Sequence, residues 1–267
     1  MVALIIPVFN KIELTRRCLL SLLKHSKALT SIIVIDNGSS DHTPVLLIEF
    51  QSAFITNGIE FQIIQNSKNL GYGSACNQGV RLAAKNEQVT YIAILNNDTW
   101  LMPAWDLALI DAINQKKLNL VGPFFDERPW TEKITERAIL FLAQNKEKFR
   151  KHFVPILLFF TREAIQKLSL DHGGIFDERF FVTYEDSDLF YRMKQLQMTY
   201  GQTSQCYIWH QSMGTRSEKG FLPENYELDG LRIFKEKWGF DPRAAEHTVV
   251  ARLKRRVRKV RAAIGRF

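Results

Sequence analysis

Val2-Ala3-Leu4-Ile5-Ile6-Pro7-Val8-Phe9-Asn10 is the stretch that decides the fold. Its continuous apolar run, without alternation, suits a parallel strand covered on both faces. The run breaks into a polar loop at Pro7-Val8-Phe9-Asn10. A helical pattern follows from about residue 12 to 23, including Leu19, Leu22 and Leu23. The unit then recurs. Residues 31–35 form a second buried strand ending in Asp36-Asn37-Gly38-Ser39-Ser40-Asp41, and a helix follows at 45–55. Residues 61–64 form a third strand, and Asn69-Leu70-Gly71-Tyr72-Gly73 leads into a helix reaching about Ala84. Residues 91–95 form a fourth strand, ending in Asn96-Asn97-Asp98. This βαβαβαβ order predicts a doubly wound α/β half. Right-handed crossovers gather the loops after its strands at one sheet edge, where ligands bind. Each loop taken alone is also ordinary turn sequence, since Asn, Asp, Gly and Ser are what turns use.

The second half is less regular. It predicts a helix at 104–113, a strand at 118–121, charge-rich helical sequence at 131–150 and a strand at 154–161. A helix at 185–196, a strand at 203–209 and a helix at 223–238 complete it. Within it, Tyr184-Glu185-Asp186-Ser187-Asp188-Leu189-Phe190 places three carboxylates in four positions. Like charges that close raise one another's pKa. Two readings stand side by side. The acids cap a helix start, with Asp188 and Arg192 paired at i,i+4, or one of them does chemistry. His210 likewise reads as a strand-end histidine beside Trp209 or as a ligand. Trp100, Trp105, Trp130 and Trp209 read as core aromatics before they read as a sugar-stacking wall.

At 267 residues and 46% apolar, the chain suits one α/β domain with an appendage, drawn at 1–240 and 241–267. Three scattered cysteines show neither zinc spacing nor a disulfide framework, which points to a reducing cytosol. No secretory leader is expected, because the first residues run directly into a strand. The longest apolar run, at 154–160, is too short to span a bilayer. The net charge of +8 belongs to the tail: residues 252–266 hold eight of the 36 Lys/Arg and no acid, leaving 28 basic against 28 acidic residues elsewhere. A nucleic-acid-binding class is therefore disfavoured, since the globule is neutral and carries no base-reading motif. Gly71-Tyr72-Gly73-Ser74-Ala75-Cys76 approximates a dinucleotide fingerprint, but its third glycine is Cys76 and it follows the third strand instead of the first. That speaks against nicotinamide or flavin and leaves another phosphate or ribose contact open.

Taken in order, Ile5-Pro7-Val8-Phe9-Asn10, Ile35 to Asp41, Asn69-Leu70-Gly71, Leu95-Asn96-Asn97-Asp98-Thr99, Glu185-Asp186-Ser187-Asp188-Leu189 and Trp209-His210 resemble family 2 glycosyltransferases of the GT-A fold. The likeness is greatest to the bacterial branch that assembles cell-surface polysaccharide, with rhamnosyl- and galactofuranosyltransferase-like members. It covers about residues 2–215. The resemblance implies a nucleotide-sugar donor (a UDP- or dTDP-sugar) held by Pro7, Phe9, Asp36, Asn37, Asn69, Gly71 and Asn97. It implies Mn²⁺ or Mg²⁺ at Asp98 and His210, and Asp186 as catalytic base. Asn37 and Asn97 stand where many members carry aspartate, and fewer anionic ligands hold a hard cation less tightly. The resemblance also implies inversion at the anomeric carbon and a glycan or lipid-linked acceptor at the cytoplasmic face of a bacterial membrane.

The residue types suit that chemistry. A nucleotide diphosphate leaves poorly until a cation neutralises its developing charge. An attacking hydroxyl must lose a proton, which a placed carboxylate accepts. The rival class is a non-catalytic nucleotide-sugar-binding relative. In the tail, Val250, Leu253, Val257, Val260, Ile264 and Phe267 recur at helical spacing among dense cations. Such a helix suits an anionic membrane surface, or packs on the globule or on a second copy.

Overall fold

The computed structural model describes residues 1–131, 133–145, 148–151, 153–211 and 223–243. The predicted tail helix, residues 250–267, lies outside the described residues. The first half forms as its pattern requires: β1 (Val2–Val8), α1 (Ile12–His25), β2 (Leu29–Asp36), α2 (Thr43–Thr56), β3 (Glu60–Gln65), α3 (Tyr72–Lys85) and β4 (Tyr91–Leu95). β2, β1 and β4 are neighbours, β3 lies outside β2, and all three pairings are parallel.

β1 shows why its sequence lacks alternation. Val2, Leu4, Ile6 and Val8 enter one apolar core with Leu19, Leu22 and Leu47. Ala3 and Ile5 enter a second core with Val80, Leu189 and Met193. Helices thus cover both faces, and every β1 side chain is buried.

The second half comprises β5 (Thr99–Leu101), α4 (Trp105–Gln115), β6 (Leu120–Asp126), α5 (Ile134–Gln144), β7 (Phe149–Arg150) and β8 (Leu157–Thr161). It continues with α6 (Arg162–Leu168), α7 (Glu185–Gln195), β9 (Tyr200–His210) and α8 (Tyr226–Trp238). The sheet order is β3-β2-β1-β4-β8-β6-β9-β5, with β7 beside β9. Here it becomes mixed: β8 runs antiparallel to both β4 and β6, while β6 and β9 are parallel.

Several boundaries differ from expectation for identifiable reasons. β6 continues past Pro123 because the ladder shifts register between Pro123 and Phe124, the kind of irregularity at which a strand tolerates proline. The expected helix at 131–150 ends at Gln144, and Phe149–Arg150 instead pair with Gln202 and Thr203 of β9. Gly201 leaves room for the Phe149 ring, which a Cβ there would strike at 2.3 Å. β5 and α6 are too short to show a period.

Trp105 sits in the first core. Trp100, Trp130 and Trp209 form a separate aromatic cluster with ring centroids 5.2 and 4.9 Å apart. Their packing is that of a core.

Candidate active site

The loops after β1, β2 and β4 meet as the topology requires, and those after β1, β2 and β3 are stitched together. Asn10 Oδ1 accepts from the backbone N–H groups of Ser40 (2.8 Å) and Asp41 (3.3 Å), while Asp41 Oδ2 accepts from Ile12 N–H at 3.1 Å. Asn37 makes four hydrogen bonds within this scaffold. Its Oδ1 accepts from Leu70 N–H and Asn66 Nδ2, both at 3.0 Å. Its Nδ2 donates to Asn69 Oδ1 at 2.8 Å and to the Gly71 carbonyl at 3.2 Å.

Beneath these loops lies a cavity of about 340 Å³, within the range of small-ligand sites. Its wall includes Pro7, Phe9, Asn37, Asn69, Asn97, Asp98, Asp186 and His210, so most residues singled out from sequence converge. Asp36 and Gly71 stand behind the wall. Asp36 is buried and uses Oδ1 to accept from Ser39 N–H at 2.9 Å. Gly71 lies at φ +90°, where a Cβ would meet the Phe181 carbonyl at 2.5 Å, so only glycine lets the chain at Phe181 close over the loop. Tyr72 N–H bonds that same carbonyl at 2.8 Å.

The three clustered carboxylates separate by environment. Tyr184, held at φ 69°, turns the chain into α7 and sets the acids in its first turn. Asp188 is fully buried and structural: Arg192 Nε approaches it at 3.0 Å, and Lys237 Nζ and Trp238 Nε1, both from α8, at 2.8 Å. Arg192 also donates to the carbonyls of Leu168 and Ile175. Glu185 and Asp186 line the cavity. Asp186 Oδ1 accepts from Ser187 N–H at 2.7 Å, which leaves a second oxygen for a substrate.

Opposite contributions come from the short antiparallel ladder of β5 and β9, in which Thr99 pairs with His210. Gln211 N–H bonds the Asp98 carbonyl at 2.8 Å and extends that register. It brings His210 Nε2 to 3.4 Å from Asp98 Oδ1, a buried oxygen without a hydrogen bond. On the far side of the ring, Nδ1 lies 3.1 Å from Glu127 Oε1. Burial pulls the His210 pKa down, but the carboxylates of Asp98 and Glu127 outweigh it and the net shift is upward. Among the described residues no group of three or more His, Cys, Asp or Glu stands at metal-holding spacing. The Asp98–His210 pair nonetheless fits a cation: an orphaned carboxylate oxygen and an imidazole nitrogen face one another and the cavity.

Sequence reading missed Glu127, Tyr72 and the apolar wall at Val154, Pro155 and Ile156. Tyr72 donates to Asn96 Oδ1 at 3.0 Å. Burial foremost, with Cys76 and Glu185 nearby, lifts its phenol well above the usual value and keeps it a donor. Glu127 had a signal: Asp126-Glu127-Arg128 is a polar cluster ending a strand, hidden because that strand was ended too early.

The family model for glycosyl transferase family 2 matches residues 3–175, well over half of the chain. The chain belongs to that family. The match stops before α7 and His210. EpsH of Bacillus subtilis (strain 168), provisionally named a glycosyltransferase, is 32% identical over 156 residues, covering 58% of this chain and 42% of EpsH. EpsJ of the same organism, an uncharacterized glycosyltransferase, is 25% identical over 122 residues, covering 46% of this chain and 33% of EpsJ. The chain thus spans less than half the length of either relative. Among solved structures, GalNAc-T7 with UDP, GalNAc and Mn²⁺ superposes with a TM-score of 0.62 at 15% identity, over 88% of this chain and 48% of that one. The mannosyltransferase PcManGT from Pyrobaculum calidifontis, in complex with GDP-Man and Mn²⁺, gives 0.57 at 17% identity, over 81% and 59%. These likenesses establish the GT-A fold of this family 2 glycosyltransferase. No described helix is long and apolar enough to cross a membrane.

Proposed function

We propose that this glycosyltransferase moves a sugar from a nucleotide-diphosphate donor to an acceptor hydroxyl with inversion, using a divalent metal. The observation that carries the reading is the placing of Asp186 in one cavity wall with the Asp98–His210 pair. Solved neighbours hold UDP or GDP-Man with Mn²⁺, which supports a nucleotide-sugar donor.

In this mechanism the loops bearing Pro7, Phe9, Asn69 and Asn97 hold the nucleotide. Asp98 and His210 would hold a Mn²⁺ or Mg²⁺ ion, whose charge would stabilise the departing diphosphate. Two protein ligands are few for such an ion, so the substrate and water would have to supply the remaining donors. Asp186 accepts the proton of the attacking hydroxyl, and the apolar wall at residues 154–156 limits water around the anomeric carbon. Asp188 does not line the cavity; Arg192, Lys237 and Trp238 hold it.

The acceptor class we favour is a glycan or lipid-linked precursor of cell-surface polysaccharide. Its support is the motif resemblance and the cationic, amphipathic pattern of residues 250–267, which suits recruitment to an anionic membrane. In this division residues 1–240 catalyse and the remainder localises.

The test pairs Asp186→Asn with Asp98→Ala in a nucleotide-release assay over a panel of UDP-, dTDP- and GDP-sugars. Asp186→Asn is expected to keep donor binding and lose roughly 10²-fold or more in transfer. Asp98→Ala is expected to lose metal-dependent donor binding. Parental transfer by Asp186→Asn would exclude it as the base, and chelator-insensitive activity would exclude the metal.

A further inference from the structure

We infer that Glu127 is a positioning residue that fixes the tautomer and orientation of His210, so that Nε2 presents a lone pair beside Asp98 to the divalent ion. The inference rests on the metal-dependent reading above and adds to it a group outside the ligand pair.

The geometry constrains the ring. Glu127 Oε1 lies 3.1 Å from Nδ1, the shorter of the ring's two carboxylate contacts, and a carboxylate only accepts, so a neutral imidazole bonded to Glu127 carries its single N–H on Nδ1. Nε2 is then an acceptor, and it faces the hydrogen-bond-free Asp98 Oδ1 at 3.4 Å. Without a metal, a proton between Nε2 and Asp98 Oδ1 serves this contact; a cation would take that proton's place and needs the lone pair that the Nδ1–H form offers. A hydrogen-bonded carboxylate behind a ligating histidine is the arrangement that orients the ring and raises its basicity.

The backbone around Glu127 is fixed independently of His210. Arg128 forks onto Asp126, its Nε 2.8 Å from Oδ1 and its NH2 nitrogen 2.7 Å from Oδ2. Arg128 N–H bonds Asp126 Oδ1 at 2.9 Å, and Trp209 Nε1 donates to the Arg128 carbonyl at 2.8 Å. The residues on either side of Glu127 are therefore tied down, one of them to the neighbour of His210. The Glu127 side chain itself is 43% exposed. A contact so open to water contributes little to stability, so its orientation towards Nδ1 matters for the ring more than for the fold.

The experiment compares full-length wild type, Glu127→Gln, Glu127→Ala and Asp98→Ala by two measurements independent of turnover. Mn²⁺ is titrated alone and with UDP, followed by electron paramagnetic resonance. Imidazole ¹⁵N shifts in metal-free protein report which nitrogen is protonated. Glu127→Ala is expected to weaken Mn²⁺ binding about 10–100-fold and to move His210 away from the Nδ1–H form. Glu127→Gln, which can still accept the bond, should lie between it and wild type, with all melting temperatures close to wild type. Wild-type Mn²⁺ affinity in Glu127→Ala, with loss in Asp98→Ala, overturns the role of Glu127 and leaves the metal reading standing. Unchanged affinity in Asp98→Ala as well overturns the metal reading, and the inference with it.

Discussion

Asp188→Ala is expected to destabilise the fold by about 3–5 kcal/mol, the cost of removing one partner from a buried ion pair. The figure follows from what the carboxylate holds. Asp188 is fully buried, and Arg192 is nearly so, with only 11% of its side chain exposed. Removing the anion leaves that guanidinium in a poor dielectric with only the carbonyls of Leu168 and Ile175. Trp238 Nε1 loses its acceptor, while Lys237 keeps Asp177 at 2.8 Å and so recovers part of its pairing. Asp188→Asn, which keeps one acceptor oxygen, should cost less. Urea unfolding read by far-ultraviolet circular dichroism would measure the difference, with an unchanged m-value showing that the unfolding transition keeps its size. Because Asp186 stands two residues away on the same first turn, the variants should also lose kcat with little change in donor KM. A midpoint shift worth under about 1 kcal/mol, typical of an exposed pair, would refute the view that Asp188 fastens α7 to α8.

Four further outcomes are expected. Asp106→Ala orphans the backbone N–H groups of Lys27, Ala28 and Leu29, all within 2.9 Å of Oδ2; each unmade bond costs about 1–3 kcal/mol, so thermal unfolding should fall by several degrees or more. Asn37→Asp turns a donor into an acceptor against Asn69 Oδ1 and the Gly71 carbonyl, so calorimetry should show a lower melting temperature and weaker donor binding. Asp126 is buried, which raises its pKa, but the Arg128 hydrogen bonds win and hold it at about 2, below the ordinary 3.8. Its contribution is whole above the ordinary value and fades as pH falls through the folded one, so Asp126→Asn should flatten the acid limb of a stability profile across that window. Deleting residues 248–267 should release the protein from anionic liposomes at low salt while sparing turnover of a soluble acceptor; equal sedimentation with and without the tail would exclude membrane recruitment.

The first half of the fold was legible because each strand is short, apolar and followed by its own helix, so local pattern and tertiary position agree. The second half depends on pairings that local sequence does not announce. β8 reverses direction between β4 and β6, and β5 has only three residues to declare itself. In the site, Asp98, Asp186 and His210 were visible as carboxylates and a histidine ending strands or starting a helix. Their division of labour was not, since it depends on what faces each group: Asp188 differs from Asp186 through Lys237 and Trp238, residues about fifty positions downstream. Asn37 was placed at the ligand by its motif and does line the cavity; what the motif did not announce is that its four hydrogen bonds also tie the loops together.

The pairing of Thr99 with His210 has a consequence for how the enzyme is born. On a ribosome, β1 to β4 emerge early and make mostly neighbouring contacts, so the donor half can fold while synthesis continues. β9 emerges much later, and it is β9 that supplies both His210 and the ladder holding β5 beside it. A nascent chain stalled before β9 would therefore carry the nucleotide loops and Asp98 without the imidazole opposite. Under the proposed mechanism, catalytic competence would arrive only after β9, late in assembly.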